Sequence, residues 1–194
     1  MPNLYIIAGC NGAGKTTASF TVLPEMLNCE EFVNADEIAR GLSPFNPDKA
    51  AIEAGRLMLK KVDSLIGQKV DFAFETTLSS RSFVNTISKA KGSGYQVTLL
   101  FFWLESVNLA IERVKIRVEE GGHNIPEDVI RRRYYSGLKN LFKLYIPVCD
   151  EFLIFDNSEI KTKKIAERRI DSAINIFEKR IFEKIKTIAN EYKY

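Results

Sequence analysis

A chain of 194 residues that is 45% hydrophobic has the length for one domain, or one domain with an appendage, and too much apolar content for a disordered polymer. Its net charge of +3 is too small to argue for nucleic acid, and residues 159–194 hold ten Lys/Arg against six Asp/Glu, so the basic excess sits at the C-terminal end. No apolar run approaches the roughly 20 residues that span a bilayer, and no membrane association is expected.

Leu4-Tyr5-Ile6-Ile7-Ala8 is a short apolar run that predicts a strand buried on both faces of a parallel sheet. Gly9-Cys10-Asn11-Gly12-Ala13-Gly14-Lys15-Thr16 follows it, and the segment from Gly14 through Val22 reads as a helix. Glu31 to Asn34 predicts a weak strand and Ala35 to Gly41 a short helix. After a loop with two prolines, Asp48 to Gln68 predicts a helix with Ile52, Leu57, Leu59, Val62, Leu65 and Ile66 as its apolar content. Asp71 to Thr76 reads as a second buried strand, Arg81 to Lys91 as a helix, and Tyr95 to Trp103 as the strongest strand of the chain.

Val107 to Glu119 is amphipathic, with Val107, Ala110, Ile111, Val114 and Val118 on one stripe. Gly121 to Pro126 breaks it, and Glu127 to Tyr145 is helical again, its stripe being Ile130, Tyr134, Leu138, Leu141 and Tyr145. Glu151 to Phe155 predicts a last strand. Residues 159–194 carry Ile165, Ile170, Ile174, Phe177, Ile181, Ile185, Ile188 and Tyr192 at helical spacing. They predict one long amphipathic helix that either packs along the domain or forms a homodimer seam. Alternating strands and helices imply an α/β domain over 1–158 with a central parallel sheet, whose ligands bind beyond the carboxyl ends of the strands.

The glycine-rich stretch fits G-x-x-x-x-G-K-[ST] at every fixed position, between a strand and a helix as that motif requires. Backbone N–H groups of such a loop form an anion nest at a helix N-terminus, and Gly9, Gly12 and Gly14 let the backbone approach phosphate closely. The expected nucleotide-binding residues are Gly9, Asn11, Gly12, Ala13, Gly14, Lys15, Thr16 and Thr17, with Lys15 on the β- and γ-phosphates and Thr16 on Mg2+. The implied cofactors are ATP and magnesium.

Asp36 follows the second strand, where a kinase needs a carboxylate to take the proton of an acceptor hydroxyl; a helix N-cap is the equally weighted alternative. Glu75 ends a buried strand and suits a sugar hydroxyl, an outer-shell magnesium water, or an ion pair with an arginine. Arg113 and Arg117 flank one helix stripe before the Gly121-Gly122 break, so residues around 113–133 have the character of a lid whose arginines neutralise transition-state charge. In Arg131-Arg132-Arg133, Arg132 points away from the apolar stripe, whereas Arg131 and Arg133 flank it and either can reach the site. His123, the only histidine, falls in the lid loop without nucleophile or metal partners and receives no catalytic role. Cys10, Cys29 and Cys149 have no metal-ligand spacing, and with no signal-peptide pattern at the N-terminus a reducing, cytoplasmic setting is expected. No guanine-reading Asn-Lys-x-Asp and no Leu-Ser-Gly-Gly signature is present, which argues against GTPases and transporter ATPases.

Five segments together resemble the zeta toxin family of P-loop kinases, and its short members in particular. They are Gly9 to Thr17, Asn34-Ala35-Asp36-Glu37-Ile38-Ala39-Arg40, Phe74-Glu75-Thr76-Thr77-Leu78, Gly121 to Pro126 and Arg131 to Tyr134. The resemblance implies a fold like that of nucleoside-monophosphate kinases and transfer of the γ-phosphate to the sugar of UDP-N-acetylglucosamine. It implies Asp36 as base, Lys15 and Thr16 at phosphate and magnesium, and Glu75 and Thr77 near the sugar nucleotide. It also implies two lid arginines: Arg113 matches the first, and Arg117 or Arg131 supplies the second. An antitoxin protein is the implied partner. Two further readings stay open: a phosphotransferase for another hydroxyl compound, such as an antibiotic or nucleoside, and a nucleotide-binding switch that docks through its C-terminal segment.

Overall fold

A computed structural model describes residues 1–122 and 124–192, apart from the side chains of Thr21, Val22 and Met26; His123, assigned to the lid loop above, lies outside the described residues. The first apolar run becomes β1 (Asn3–Gly9), flanked in parallel by β3 (Phe72–Thr76) and β4 (Gln96–Trp103). Next to β3 lies β2 (Glu31–Val33), and next to β4 lies β5 (Glu151–Asp156), both also parallel. Leu4, Ile6, Ile7 and Ala8 in β1, and Val97, Leu99 and Phe101 in β4, are buried because helices cover both sheet faces. This is a mixed α/β fold with a mostly parallel sheet, and the strand order β2-β3-β1-β4-β5 leaves the loop after β1 at the centre of its carboxyl rim.

The connecting helices are α1 (Lys15–Leu27), α2 (Ala35–Leu42), α3 (Pro47–Gln68), α4 (Phe83–Gly92), α5 (Val107–Glu119) and α6 (Glu127–Asn140). In α3 the buried face differs from the expected one. It runs through Ala50, Ala54, Met58, Val62, Leu65 and Ile66, while Ile52 is 74% exposed and Leu57 and Leu59 are also exposed. Two alanines hold its first part because α2 packs close against them, burying Ala39 with Ala50 and Ala54, and Met58 then joins the main core. The helix expected over Glu127 to Tyr145 changes winding instead: α6 ends at Asn140 and a π-helix occupies Leu141–Tyr145, leading into the short α7 (Ile146–Val148). Its predicted stripe is buried throughout.

The long C-terminal helix is not formed. Residues Lys163–Arg168 make β6, antiparallel to β5, and Asn175–Ile176 make the short β7, so the sheet has seven strands and continues past residue 158. Only Lys179–Glu191 is helical, as α8. The i, i+3/i+4 spacing of isoleucines misled because Ile165 is buried as a strand residue, whereas Ile170, Ile174 and Phe177 remain partly exposed in the turn region. Asp171 has φ +55° there, and Ser172 bonds the backbone of Arg169 through its hydroxyl, which together reverse the chain. Covering the edge of β5 with β6 satisfies backbone groups that a helix could not. α8 packs in cis: Phe182, Ile185 and Ala189 are buried, with Phe182 edge-on to Phe142 at 5.8 Å. No helix among the described residues is long and apolar enough to cross a membrane.

Candidate active site

The loop between β1 and α1 has the geometry its glycines demand. A Cβ on Gly9 would lie 2.4 Å from the Phe102 carbonyl oxygen, so the loop can sit against β4 only without a side chain there. Gly12 has φ +76°, and a Cβ on it would meet the Ala110 carbonyl of α5 at 2.8 Å. Asn157, just past β5, donates through Nδ2 to the Ala13 carbonyl at 2.9 Å and ties the loop to the end of a strand two places away in the sheet.

Lys15 and Thr16 open α1 and both turn toward Glu75 at the end of β3. Thr16 Oγ1 donates to Glu75 Oε2 at 2.8 Å, Asn34 Nδ2 donates to the same oxygen at 2.9 Å, and Lys15 Nζ lies 3.4 Å from Oε1. Lys15 also donates to the Cys10 carbonyl at 2.9 Å. A nearly buried carboxylate is tolerated here because two neutral donors and one ammonium meet it. Its ion-pair partner is thus a lysine of the phosphate loop and not an arginine.

Asn34 also settles the position of Asp36. Its Oδ1 accepts from the backbone N–H groups of Asp36 and Glu37, so Asn34 is the N-cap of α2. Asp36 stands inside the first turn with its carboxylate exposed to the cleft. The capping alternative for Asp36 is therefore already taken by its neighbour two residues earlier.

Two cavities meet on this rim. The larger, about 410 Å³, is lined by Asn11, Gly12 and Gly14 to Thr17 of the phosphate loop together with Phe20, Glu37, Arg40, Arg113 and Arg117, while Ala13 is buried behind the loop and does not line it. The smaller, about 150 Å³, is lined by Asn34, Met58, Thr76, Thr77, Phe83 and Arg133. Asn11, Lys15, Asp36 and Glu75 belong to both. The four residues at the junction are thus a phosphate-loop amide and ammonium facing two carboxylates.

Of the arginines singled out in the sequence, Arg113 and Arg117 reach the larger cavity. Arg113 is anchored, donating to the carbonyls of Asn157 at 2.8 Å and Ser158 at 2.9 Å. Arg131 is exposed and lines neither cavity, whereas Arg133 lines the smaller one and donates to Asn11 Oδ1 at 3.3 Å. Burial lowers the pKa of Arg133 and the charge of Asp36 opposes that shift, so the two groups face each other across the cleft. Arg40, Asn34 and Phe20 were missed as site residues, whereas Arg133 is one of the two arginines of its triplet read from the sequence as able to reach the site, the other being Arg131. The signal for Asn34 was its place just before the helix, and for Arg133 its position flanking the Ile130/Tyr134 stripe. Nothing local in the sequence marks Phe20.

The thiols take no part in the cleft. Burial pushes Cys10 and Cys29 up to about 11 and Cys149 up to about 12, with Lys15 opposing the shift only at Cys10. All three are buried and protonated at neutral pH. Native protein at pH 8 is expected to resist iodoacetamide, and denatured protein to take up label at all three cysteines. Rapid labelling of Cys10 in the native state would contradict this burial.

A family model for Zeta toxin matches residues 1–167. The chain belongs to the Zeta toxin family. Membership makes it a P-loop phosphotransferase, and a phosphate loop opening onto two adjoining cavities agrees with that. This Zeta toxin family member is 35% identical over 127 residues to an uncharacterized protein of Haemophilus influenzae strain Rd, a stretch covering 65% of the chain and 88% of the relative. A chain of the AvrRxo1-ORF1:-ORF2 complex crystallised with ATP superposes on all of it with a TM-score of 0.81 at 18% identity. The present chain spans 65% of that protein's length. The PezAT toxin-antitoxin system of Streptococcus pneumoniae superposes on 98% of the chain, covering 87% of its own, with a TM-score of 0.64 at 15% identity. At such identities the structural likenesses establish the shared fold.

Proposed function

We propose that this Zeta toxin family member transfers the γ-phosphate of ATP to a hydroxyl of a nucleotide sugar such as UDP-N-acetylglucosamine. The observation that carries the reading is the junction of two cavities at Asn11, Lys15, Asp36 and Glu75. The larger cavity suits the triphosphate, with loop N–H groups and Lys15 on its oxygens and Arg40, Arg113 and Arg117 around it. The smaller cavity suits the acceptor, whose hydroxyl would lie beside Asp36 and whose apolar parts would meet Met58 and Phe83. Asp36 takes the hydroxyl proton as the new bond to phosphorus forms.

Oxygen donors fit magnesium here: Thr16 Oγ1 would be a direct ligand and Glu75, 2.8 Å from it, an acceptor for metal-bound water. No group of three or more His, Cys, Asp or Glu among the described residues could hold the ion alone, so water and phosphate oxygens would supply the rest of its shell. Magnesium, when bound, supplies charge neutralisation across the β- and γ-phosphates. Lys15 must then exchange its contacts with Glu75 and the Cys10 carbonyl for phosphate. An antitoxin partner is supported by family membership and by the likeness to PezAT, itself a toxin-antitoxin system.

Arg133 favours an anionic acceptor over a neutral nucleoside or a cationic antibiotic. It lines the smaller cavity and donates to Asn11 Oδ1 there, which brings a guanidinium to the wall of that cavity. If it stabilises charge during transfer, Arg133→Ala should lower kcat by about two to three orders of magnitude, roughly 3–4 kcal/mol. Arg131→Ala should stay within about twofold of the parent protein. Equal losses from both would remove Arg133 from the site. The reading as a whole is tested by incubating purified protein with labelled ATP and magnesium against a panel of nucleotide sugars, nucleosides and aminoglycosides. Label appearing only on compounds without an anionic group would overturn the nucleotide-sugar assignment.

A further inference from the structure

The loop after β3 is held in a conformation it would not choose. Leu78 has φ +55° although it is a fully buried leucine, and such positive φ is uncommon outside glycine and asparagine. Thr77, immediately before it, lines the smaller cavity. The local contacts, Thr76 Oγ1 to the Leu78 N–H at 3.1 Å and Thr77 Oγ1 to Ser79 Oγ at 2.8 Å, lie within the loop. What fixes it from outside is the α6–π-helix unit.

At about 100° per residue, Arg133, Gly137 and Asn140 fall within roughly 60° of one another on α6. All three meet the rim. Arg133 reaches the cleft; a Cβ on Gly137 would lie 2.5 Å from the Thr77 carbonyl oxygen; and Asn140 Nδ2 donates to the carbonyls of Leu78 at 2.7 Å and Ser79 at 3.3 Å. The Tyr145 hydroxyl donates to the Ser80 carbonyl. Continued α-winding would turn Tyr145 about 140° away from Asn140. The i→i+5 closure of the π-helix, in which the Ile146 N–H bonds the Leu141 carbonyl, brings it back to the same side. Consecutive carbonyls of the loop are thereby met by donors from one rigid unit, and both donors are almost completely buried.

We propose that Asn140 and Tyr145 are positioning residues for the phosphate acceptor: through residues 78–80 they set Thr77 at the wall of the smaller cavity, opposite Asp36. The π-turn is the device that lets both reach the loop. This rests on the reading of the smaller cavity as the acceptor site. It assigns acceptor affinity to side chains that touch neither substrate, and it separates acceptor from nucleotide, because no described contact links these donors to the phosphate loop.

Tyr145→Phe, which keeps the buried ring, and Asn140→Ala are compared with the parent protein by two measurements. The first is amide hydrogen exchange with no ligand added. Residues 78–80 are expected to exchange about tenfold faster in each variant while β3, and α4 beyond its first turn at Phe83, which Tyr145 also hydrogen-bonds, are unchanged. The second is transfer from labelled ATP to UDP-N-acetylglucosamine. KM for the sugar nucleotide is expected to rise about tenfold, with KM for ATP and acceptor-free ATP hydrolysis within about twofold. Unchanged exchange at 78–80 in folded Tyr145→Phe overturns the proposal, as does an equal rise in both KM values. Should the parent protein transfer nothing to UDP-N-acetylglucosamine, that acceptor assignment fails by itself, and the exchange measurement alone decides the role of Asn140 and Tyr145. If Asn140→Ala does not fold, Tyr145→Phe carries the test.

Discussion

Lys15→Ala is expected to abolish phosphotransfer and to leave the protein folded. The ammonium is the cation among the four residues that line both cavities, 2.9 Å from the Cys10 carbonyl and 3.4 Å from Glu75. During transfer it must follow charge that develops on the phosphoryl oxygens, and removing a comparable donor costs roughly 3–4 kcal/mol of transition-state stabilisation. That corresponds to a rate loss of two to three orders of magnitude or more. Folding depends on it less. Glu75 keeps Thr16 and Asn34 as hydrogen-bond donors, so the carboxylate is not orphaned when the lysine goes. A cost of about 1–2 kcal/mol is expected from the lost charge-assisted bonds, or roughly 2–8 °C in Tm for a chain of this size. Circular dichroism melts and labelled-ATP transfer on one preparation check both halves. Normal transfer by folded Lys15→Ala would remove the phosphate loop from the chemistry.

The parts of this site that could be read in advance are those fixed by short-range rules. A nest of N–H groups at a helix N-terminus is encoded in consecutive residues, so Gly9 to Thr16 predicts both the loop and its ligand. Buried parallel strands are equally local: β1, β3 and β4 are runs of apolar residues, and their ends mark the rim where Glu75 and Asp36 lie. What could not be read depends on partners distant in sequence. Asn34 and Glu75 meet across 41 residues, and Arg133 and Asn11 across 122. Which of Arg131 and Arg133 enters the cleft is set by how α6 docks on the sheet, and helical phase alone allows either. The C-terminal segment failed for a related reason. Isoleucines three to five apart satisfy a helix, but the open edge of β5 was available to a strand, and pairing with it outweighed a weak helical preference. The π-turn is invisible to a periodicity argument, since the stripe Ile130, Tyr134, Leu138, Leu141 and Tyr145 already fits continuous α-helical spacing.

Asp36→Asn is expected to separate chemistry from architecture more cleanly than any other change in the cleft. Asn34 already caps α2 through two backbone N–H groups, and the substitution leaves that cap intact. What Asp36 gives to folding is the attraction of its charge to the helix N-terminus, about 0.3–1 kcal/mol and screened by salt. Its loss should move Tm by no more than roughly 4 °C. Binding of Mg–ATP should persist, because the phosphate loop, Thr16 and Glu75 are untouched. Transfer should fall by about 10²–10⁴-fold, the usual contribution of a general base, since an amide cannot take the hydroxyl proton at neutral pH. Melting, nucleotide binding and transfer measured together give three separate readouts. Near-parental transfer would sink the assignment of Asp36 and turn attention to Glu37 and Glu75. Neither is as well placed to act as a base. Glu37 lies at the larger cavity but outside its junction with the smaller one and pairs with Arg40 at 3.4 Å, and Glu75 already spends its oxygens on Thr16, Asn34 and Lys15. Among the described residues, the Asp36 carboxylate at the junction has no hydrogen bond or ion pair within contact distance that competes with an incoming hydroxyl.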